Sequence, residues 1–335
     1  MGGDNAPGAV IEGAVLSLGE IEGSVALVGV QEELSERLRN SDGLRDNRIE
    51  IVNASEVIGM EESISKALRK GDSSLRVAAR MVSEGHADAL VSMGHSGAFM
   101  ALCMMTMGKI EGVERPALGA VIPTLKGSSL LIDAGANVDA KPINLLQFAA
   151  MGHVFLKVAT KSSDLTIGLL SNGEEAIKGN DVIRRAHKAM TRAFPNYVGY
   201  VEGKDLLLGN VDIVVCDGFV GNIVLKMGEG FVELLPKYIM SRISQGAHEP
   251  RGAQIPPEVL EEFDWLMREN FDYKEHGGAP LLGVKGICVL GHGRSNARAV
   301  KNAVCMAEKF ARGDLIANIE EEISVSTLNT GKLIN

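Results

Sequence analysis

The sequence predicts an α/β fold of the Rossmann-like, three-layer α/β/α type, built around a mostly parallel mixed sheet. Short apolar runs that suit buried strands alternate with segments whose apolar residues recur at helical spacing. Several of these runs end at polar, glycine-containing turns that lead into the next helix, as is typical of parallel sheets. The runs 119–122 and 130–132 have too few residues between them for a helix, so they predict one antiparallel hairpin.

The composition limits the classes of protein and partner. With 335 residues and 45% hydrophobic content, the chain can bury a large core, and residues 1–335 fit a single catalytic unit, undivided or in two lobes. A net charge of -9 argues against nucleic acid as a partner, because clustered lysines and arginines hold phosphate backbones. The four cysteines form no C-x-x-C pair, so we expect a reducing cytoplasm. No apolar segment has membrane-spanning length, so we expect a soluble or peripherally bound protein.

The first half of the chain opens with a loop and then alternates between helix and strand. Met1–Pro7 is a polar, glycine-rich segment of the kind that usually follows a strand. Helical spacing over 8–18 is followed by predicted strands at 25–29 and 49–52, with a helix between them. The basic segment 65–74 predicts a connector whose last serines cap the next helix.

The segment 87–98 predicts a strand, a tight turn and the start of a helix. Gly94 and Gly97 permit close approach of the backbone to a ligand, and Ser96 can cap the helix or donate a hydrogen bond. The first amides of the helix lack intrahelical acceptors and point outward, so they favour an anion. His95 can act as an acid, a base or a donor to an oxyanion, or can serve the structure alone.

The second half repeats the same order of elements. A helix over 142–159 follows the hairpin, and the run 165–170 predicts a strand that leads through a loop to a helix starting at Ala176. Two further strands, at 211–216 and 286–290, each end in a glycine-rich turn and a helix. Because ligands of open α/β sheets collect at the carboxyl ends of strands, we expect the turns to line a shared cleft.

The chemistry-bearing residues fit a small anion better than a nucleotide, because no turn has the spacing of a nucleotide-binding loop. Cys216 at a strand end fits a small buried residue, and without a G-x-S-x-G elbow no covalent intermediate is predicted. Asp4, Asp133 and Asp217 lack the spacing of a metal site, which predicts caps or loop ties and no bound metal. Lys178 lies near a predicted helix start, where a cation is unfavourable unless a bound anion or a neighbouring glutamate offsets it.

Eight separated segments, taken together and in order, resemble the bacterial phosphate acyltransferase family, PlsX. The family usually has Asn and Thr at the positions of His95 and Ser96, and a short strand ahead of its Met-Gly-Gly-Asp. The resemblance covers nearly the whole chain, and its segments are Met1–Asp4, Ser92–Ala98, Arg115–Ala117, Asp133–Asn137, Gly173–Asn180, Cys216–Asn222, Gly277–Gly283 and His292–Ala297.

The resemblance implies transfer of a fatty acyl group from acyl carrier protein to inorganic phosphate, which gives the acyl phosphate used in the first acylation of phospholipid synthesis. It also implies a fold shared with phosphotransacetylases and the isocitrate and isopropylmalate dehydrogenases, and no cofactor. On this basis we expect Lys178 and Asn222 to be catalytic and to bind phosphate or the thioester oxygen. The residues expected to contact phosphate or substrate are Asp4, Gly94, His95, Ser96, Gly97, Asp217, Gly221, His292, Ser295 and Asn296.

An apolar helix predicted over 222–242 carries a second implied property. Its apolar side fits the core or a dimer contact, and the resemblance implies that a helical projection at 222–271 serves a homodimer and touches the membrane. The family further implies a downstream glycerol-3-phosphate acyltransferase as partner. It places the enzyme in the cytoplasm, peripherally associated with the inner face of the cell membrane.

Two other kinds of function fit the same sequence. One is a related enzyme, either a phosphotransacetylase acting on coenzyme A thioesters or a dehydrogenase of similar fold. The other is a non-catalytic, membrane-associated scaffold that recruits acyl carrier protein. A scaffold is expected to have degraded turns, whereas the turns here are intact apart from His95.

Overall fold

The computed structural model describes residues 1–39, 47–175, 177–246 and 277–330, together with Pro256, Val259 and Glu262, and the side chains of 242–246 and 327–330 lie outside this description. The strands are β1 (Val25–Gly29), β2 (Ile49–Asn53), β3 (Ala89–Ser92), β4 (Ala117–Thr124), β5 (Gly127–Ile132), β6 (Ile167–Leu170), β7 (Tyr197–Val201), β8 (Ile213–Val215), β9 (Ala279–Leu282) and β10 (Ile287–Leu290). The helices are α1 (Gly8–Ser17), α2 (Gln31–Arg39), α3 (Ile64–Ala67), α4 (Ser74–Ser83), α5 (Ser96–Met107), α6 (Pro142–Thr160), α7 (Asp181–Ala193), α8 (Gly203–Leu208), α9 (Gly218–Gly246), α10 (Ala297–Arg312) and α11 (Leu315–Thr330).

The main sheet has eight strands in the order β3-β10-β9-β4-β5-β8-β6-β7, and β1 and β2 form a separate parallel pair. β3 and β10 are parallel, and so are β5, β8, β6 and β7. Between these groups, β9 and β4 run antiparallel to each other and to their outer neighbours. As a result, β10 and β8 point in opposite directions.

The register brings the carboxyl ends of the two parallel groups to one level. Leu290 lies opposite Ala279 at the start of β9, and Val215 lies opposite Ile132 at the end of β5. When the residue pairing is traced from β10 across β9, β4 and β5 to β8, Leu290 and Val215 differ by about one residue along the strand direction, or about 3.3 Å. The turns after β10 and β8 therefore approach the same central region from opposite directions.

Helices cover both faces of the sheet, so the predicted three-layer α/β/α arrangement is confirmed. One face carries α6, α7, α10 and α11, which pack on alternate strand residues such as Ile132 and Val289. The other face carries α4 and α5 over β3, β10 and β9, while α8 and α9 pack near β5 and β8. α6 is long and apolar enough to cross a membrane, but 67% of its most apolar window is buried, as in a core helix.

A cavity of about 560 Å³ separates β1 from β3. In the described part of the chain each of these strands is paired on one side only, so their free edges line the cavity. Met1 occupies one end, where a side chain at Gly29 would overlap it. Gly3, with φ +99°, follows so close to Met93 that a side chain would meet the Met93 carbonyl oxygen at 2.6 Å.

Most of the elements predicted from periodicity are confirmed. The hairpin forms from β4 and β5, and α5 spans the predicted residues. β7 and β9 were not predicted, since Gly199 and Pro280 interrupt short runs that offer too little alternation. Of the predicted projection at 222–271, the part to 246 belongs to α9, and most of 247–271 lies outside the described residues.

Candidate active site

The turn after β3 leaves two helix amides open. His95 is the N-cap of α5, and its Nδ1 accepts a hydrogen bond from the Ala98 amide at 3.2 Å. Within the described part of the chain, the amides of Ser96 and Gly97 have no acceptor, and Ser96 is exposed. These donors lie at the positive end of a twelve-residue helix, so they can bind an anion.

The cap also defines what His95 can do. Because Nδ1 accepts a hydrogen bond, the neutral ring carries its proton on Nε2, which remains a donor. The ring lies beside Gly97, where a side chain would meet His95 Cε1 at 3.2 Å and Ile64 Cδ1 at 2.8 Å. His95 therefore holds the helix start and offers one N–H next to the open amides.

The N-terminal loop is tied to the turn after β10. The Asp4 amide donates a hydrogen bond to the Gly293 carbonyl oxygen at 2.7 Å. The Asn5 side chain donates to the carbonyl oxygens of Arg294 and Ser295, each at 3.2 Å. Asp4, which sequence analysis placed in the site, and Asn5, which it did not, thus both position this loop.

The turns after β3 and β10 are neighbours. The Gly291 amide donates to the Ser92 carbonyl oxygen at 2.8 Å, which joins the two strand ends. Asn296 caps α10 by accepting the Ala299 amide at 2.9 Å, and Ser295 beside it is buried. α5 and α10 leave these parallel strands toward opposite faces of the sheet, so a crevice opens between their N-termini.

The turn after β5 is organised by a buried carboxylate. Asp133 Oδ1 accepts hydrogen bonds from the amides of Leu118, Gly135 and Ala136 at 3.0–3.2 Å. Its Oδ2 accepts from the backbone and side-chain amides of Asn137 at 2.7 and 2.8 Å. Burial raises the pKa of the Asp133 carboxyl, while the N–H donors lower it in part. Since all these partners are donors, the ionised carboxylate fits the site and acts as the predicted loop tie.

The first turn of α9 packs directly on this carboxylate loop. Asp217 caps the helix, as predicted, because its Oδ1 accepts a hydrogen bond from the Val220 amide at 2.9 Å. Gly221 faces the Asp133 carbonyl oxygen so closely that any side chain would overlap it. Asn222 is exposed, and its Oδ1 would lie 3.6 Å from a Cβ atom added at Gly135. The small residue at 221 is what lets Asn222 stand at the strand end.

α9 crosses from the β8 turn to the β10 turn. Its Glu233 pairs with Arg294 at 3.3 Å, and its Lys226 pairs with Glu229 at 2.8 Å. The pKa of His292 is lowered by burial and by the positive charges of Lys226 and Arg294, although Glu229 opposes them. The helix therefore connects the two groups of turns, and its charges act on the β10 turn.

Lys178 lies in the loop before α7, so the prediction that it belongs to the helix is wrong. Gly179 has φ +80° and Asn180 caps the helix, which begins at Asp181, while Ala176 lies outside the described residues. The ammonium group is 3.9 Å from a Glu175 carboxylate oxygen. The predicted glutamate offset is present, and the amine is left half-exposed.

The predicted site residues thus fall into three groups. Lys178 forms one alone, in the loop after β6. Those at the β8 turn are Asp217, Gly221 and Asn222. Those that meet at the β3 and β10 turns are Asp4, Gly94, His95, Ser96, Gly97, His292, Ser295 and Asn296.

The described residues of this region offer neither a cluster of side chains suited to a metal ion nor a reactive thiol. No group of three or more His, Cys, Asp or Glu side chains suited to a metal ion occurs in the described ranges. Cys216 is buried, and burial raises its thiol pKa well above the ordinary value. It is the small buried residue that the sequence predicted, since the thiolate is disfavoured there.

One side of α9 is apolar and open to solvent in the described chain. Its six members are 45–61% exposed. Their spacing of three or four residues places them along one stripe of the helix. They are Phe219, Ile223, Met227, Phe231, Leu234 and Tyr238.

Known proteins resemble the chain over nearly its whole length. The family described as "Fatty acid synthesis protein" matches residues 1–318. The phosphate acyltransferase of Geotalea daltonii is 43% identical over 96% of this chain and 92% of its own length. That of Heliobacterium modesticaldum is also 43% identical, over 96% of each chain.

Solved structures agree on the fold. A phosphotransacetylase from Streptococcus pyogenes superposes with a TM-score of 0.62 at 15% identity, covering 92% of each chain. The EutD phosphotransacetylase from Staphylococcus aureus gives 0.57 at 12% identity, again over 92% of each. The fold is therefore that of the phosphotransacetylases, and the sequence relationship is closer to another group. The chain belongs to the phosphate acyltransferase family, enzymes of fatty acid and phospholipid synthesis.

Proposed function

We propose that this protein transfers a fatty acyl group from acyl carrier protein to inorganic phosphate and releases acyl phosphate. The observation that carries the proposal is the crevice between the N-termini of α5 and α10. Two helix dipoles and the open amides of Ser96 and Gly97 favour a dianion there. Phosphate is the small anion that the family uses as acyl acceptor.

The reaction needs positioning more than covalent help from the protein. A phosphate oxygen attacks the thioester carbonyl carbon, a new C–O bond forms, and the C–S bond breaks to release the carrier thiol, which takes up a proton. The enzyme must align the two reactants and stabilise the oxyanion that develops on the carbonyl oxygen. No cofactor takes part in this scheme.

The residues divide the work between the two sides of the central region. Ser96, Gly97 and the His95 Nε2–H hold phosphate. Asn222 and Lys178 bind phosphate or the thioester oxygen from the side of β8 and β6. The remaining substrate contacts come from Asp4, Gly94, Asp217, Gly221, His292, Ser295 and Asn296.

The test is an acyl phosphate assay with acyl carrier protein thioester, coenzyme A thioester and NAD supplied separately. We expect phosphate-dependent product with the carrier thioester. A charged hydrogen bond contributes roughly 1.5–3 kcal/mol, so Lys178→Ala should slow turnover by about tenfold to a hundredfold. Lys204→Ala, a nearby exposed cation that pairs with Glu174, is the matched control. Near-normal turnover by a folded Lys178→Ala protein contradicts its role, and preference for coenzyme A indicates a phosphotransacetylase.

We also propose that the apolar stripe of α9 serves a homodimer and peripheral contact with the inner face of the cell membrane. Burial of each such side chain contributes roughly 1.5–3 kcal/mol, so two or three of them give reversible binding that dimer avidity strengthens. Leu234→Glu with Tyr238→Glu should reduce liposome flotation, and Phe231→Glu should shift the sedimentation coefficient to that of a monomer. Unchanged flotation and sedimentation by folded variants contradict the assignment.

The product gives the last partner. An acyl phosphate is a reactive mixed anhydride, so rapid consumption by a membrane acyltransferase that acylates glycerol 3-phosphate fits its chemistry. Co-sedimentation of the two enzymes on vesicles, compared with this protein alone, tests for a direct contact. A cytoplasmic location at the membrane surface is part of the same proposal.

A further inference from the structure

α7 carries a concentration of positive charge on an acidic chain. The chain has a net charge of -9, yet α7 contains four cationic side chains and a single acidic one. Its buried side consists of Ile183, Ala186, Ala189 and Met190, which pack into the core. The cations are thus left to the outer side of the helix.

Three of these cations form one stripe. Arg184, Lys188 and Arg192 are exposed and follow one another at intervals of four residues, which places them on one side of the helix. Arg184 is partly engaged, because it donates to the Gly179 carbonyl oxygen at 2.6 Å and lies 3.9 Å from Asp181. Lys188 and Arg192 have no ion pair within the described residues, so their charges are open to a partner.

The stripe begins next to the candidate site. α7 follows directly on the loop that contains Lys178, and Asn180 caps its first turn. From the start of the helix to Arg192 the distance is about 17 Å. A protein seated along this stripe has one end beside the Lys178 loop.

We propose that the outer face of α7 is the docking surface for the protein that carries the acyl thioester, which it recognises through an acidic surface of that protein. This inference rests on the proposed function. Electrostatic complementarity at exposed positions mainly accelerates encounter and fixes orientation, so it suits a carrier that must bind and leave in every cycle. The glutamates of α11, the helix packed beside α7, form no ion pair with Lys188 or Arg192 within the described residues, and so leave these charges for the carrier.

The test is the double variant Lys188→Glu with Arg192→Glu. We expect the KM for acyl carrier protein thioester to rise by about tenfold or more, with kcat at saturation and the KM for phosphate unchanged. The native KM should also rise with ionic strength, and the variant should lose most of that dependence. Lys285→Glu with Lys309→Glu, two exposed lysines without an ion pair in the described ranges, is the matched control, since it changes the net charge by the same amount.

The outcomes separate this inference from the proposed function. If the native protein forms acyl phosphate and the double variant keeps the native KM for the carrier, the docking surface is wrong and the activity stands. An equal rise in KM with Lys285→Glu and Lys309→Glu together also overturns it, because net charge alone then explains the effect. If the native protein forms no acyl phosphate from the carrier thioester, the proposed function fails and the docking surface falls with it.

Discussion

Replacement of Asp133 by asparagine tests whether the buried carboxylate loop organises the candidate site. The carboxylate accepts five N–H hydrogen bonds, from Leu118, Gly135, Ala136 and twice from Asn137. An asparagine amide must turn its NH₂ group toward two or three of these donors, whichever way it is oriented.

The structure sets the magnitude of the loss. In the asparagine orientation that loses fewer hydrogen bonds, the NH₂ group faces the two Asn137 donors, and two hydrogen bonds to a charged acceptor are lost. At roughly 1.5–3 kcal/mol each, Asp133→Asn should lower the free energy of unfolding by about 3–6 kcal/mol. This is a large part of the roughly 5–15 kcal/mol available to a typical domain. Urea unfolding followed by circular dichroism measures it.

Asp217→Asn is the matched control. It makes the same chemical change at the end of the neighbouring strand β8, but Asp217 is a helix cap at a partly exposed site, and asparagine caps equally well. We expect a loss below about 0.5 kcal/mol for this variant. A loss for Asp133→Asn no greater than that for Asp217→Asn would refute the reasoning from the five donors.

Three further predictions concern stability. His95→Ala removes the cap of α5 and should lower the free energy of unfolding by roughly 0.5–2 kcal/mol, while His95→Asn should retain most of it. Gly221→Ala drives a methyl group into the Asp133 carbonyl oxygen and should destabilise by about 3 kcal/mol, the upper end for overpacking. Acidification should also destabilise the protein, because burial lowers the pKa values of His187 and His292 in the folded state. Their stabilising effect is complete above the unfolded pKa of about 6.5 and decreases as the pH falls through it.

Each of these has its own check. Gly230→Ala lies in the same helix with nothing within 4 Å of the new methyl group, so it should stabilise slightly where Gly221→Ala destabilises. Equal losses for His95→Ala and His95→Asn contradict the cap. Unfolding measured at pH 7.5 and 5.5 tests the histidines above the range in which exposed carboxylates titrate, and equal stability at both values contradicts that prediction.

The sequence was most informative where local chemistry decides the structure. Helix periodicity, glycine and serine at 94–97 and the abrupt end of each apolar run predicted α5 and the turns after β3, β8 and β10. Lys178 was misplaced because α7 starts at Asp181, five residues after the predicted start at Ala176, and its asparagine cap is preceded by a left-handed glycine.

The rest depended on contacts between distant residues. The local pattern does not indicate that β9, a four-residue strand containing Pro280, lies between β10 and β4 and runs antiparallel to both. The role of Asn5 arises from carbonyl groups 289 and 290 residues away. The five hydrogen bonds to Asp133 depend on the start of β4 and the turn after β5 together, although its residue type and position had predicted a loop tie.

The pairing of β9 also has a mechanical consequence. It meets β10 at two residue pairs and β4 at two, whereas β4 and β5 share six. Cross-strand pairs hold neighbouring strands together, so among the described strands the sheet is most weakly joined along β9, between the crevice at the N-termini of α5 and α10 and the residues at the β8 turn. A small rotation about that line changes the distance between this crevice and Asn222.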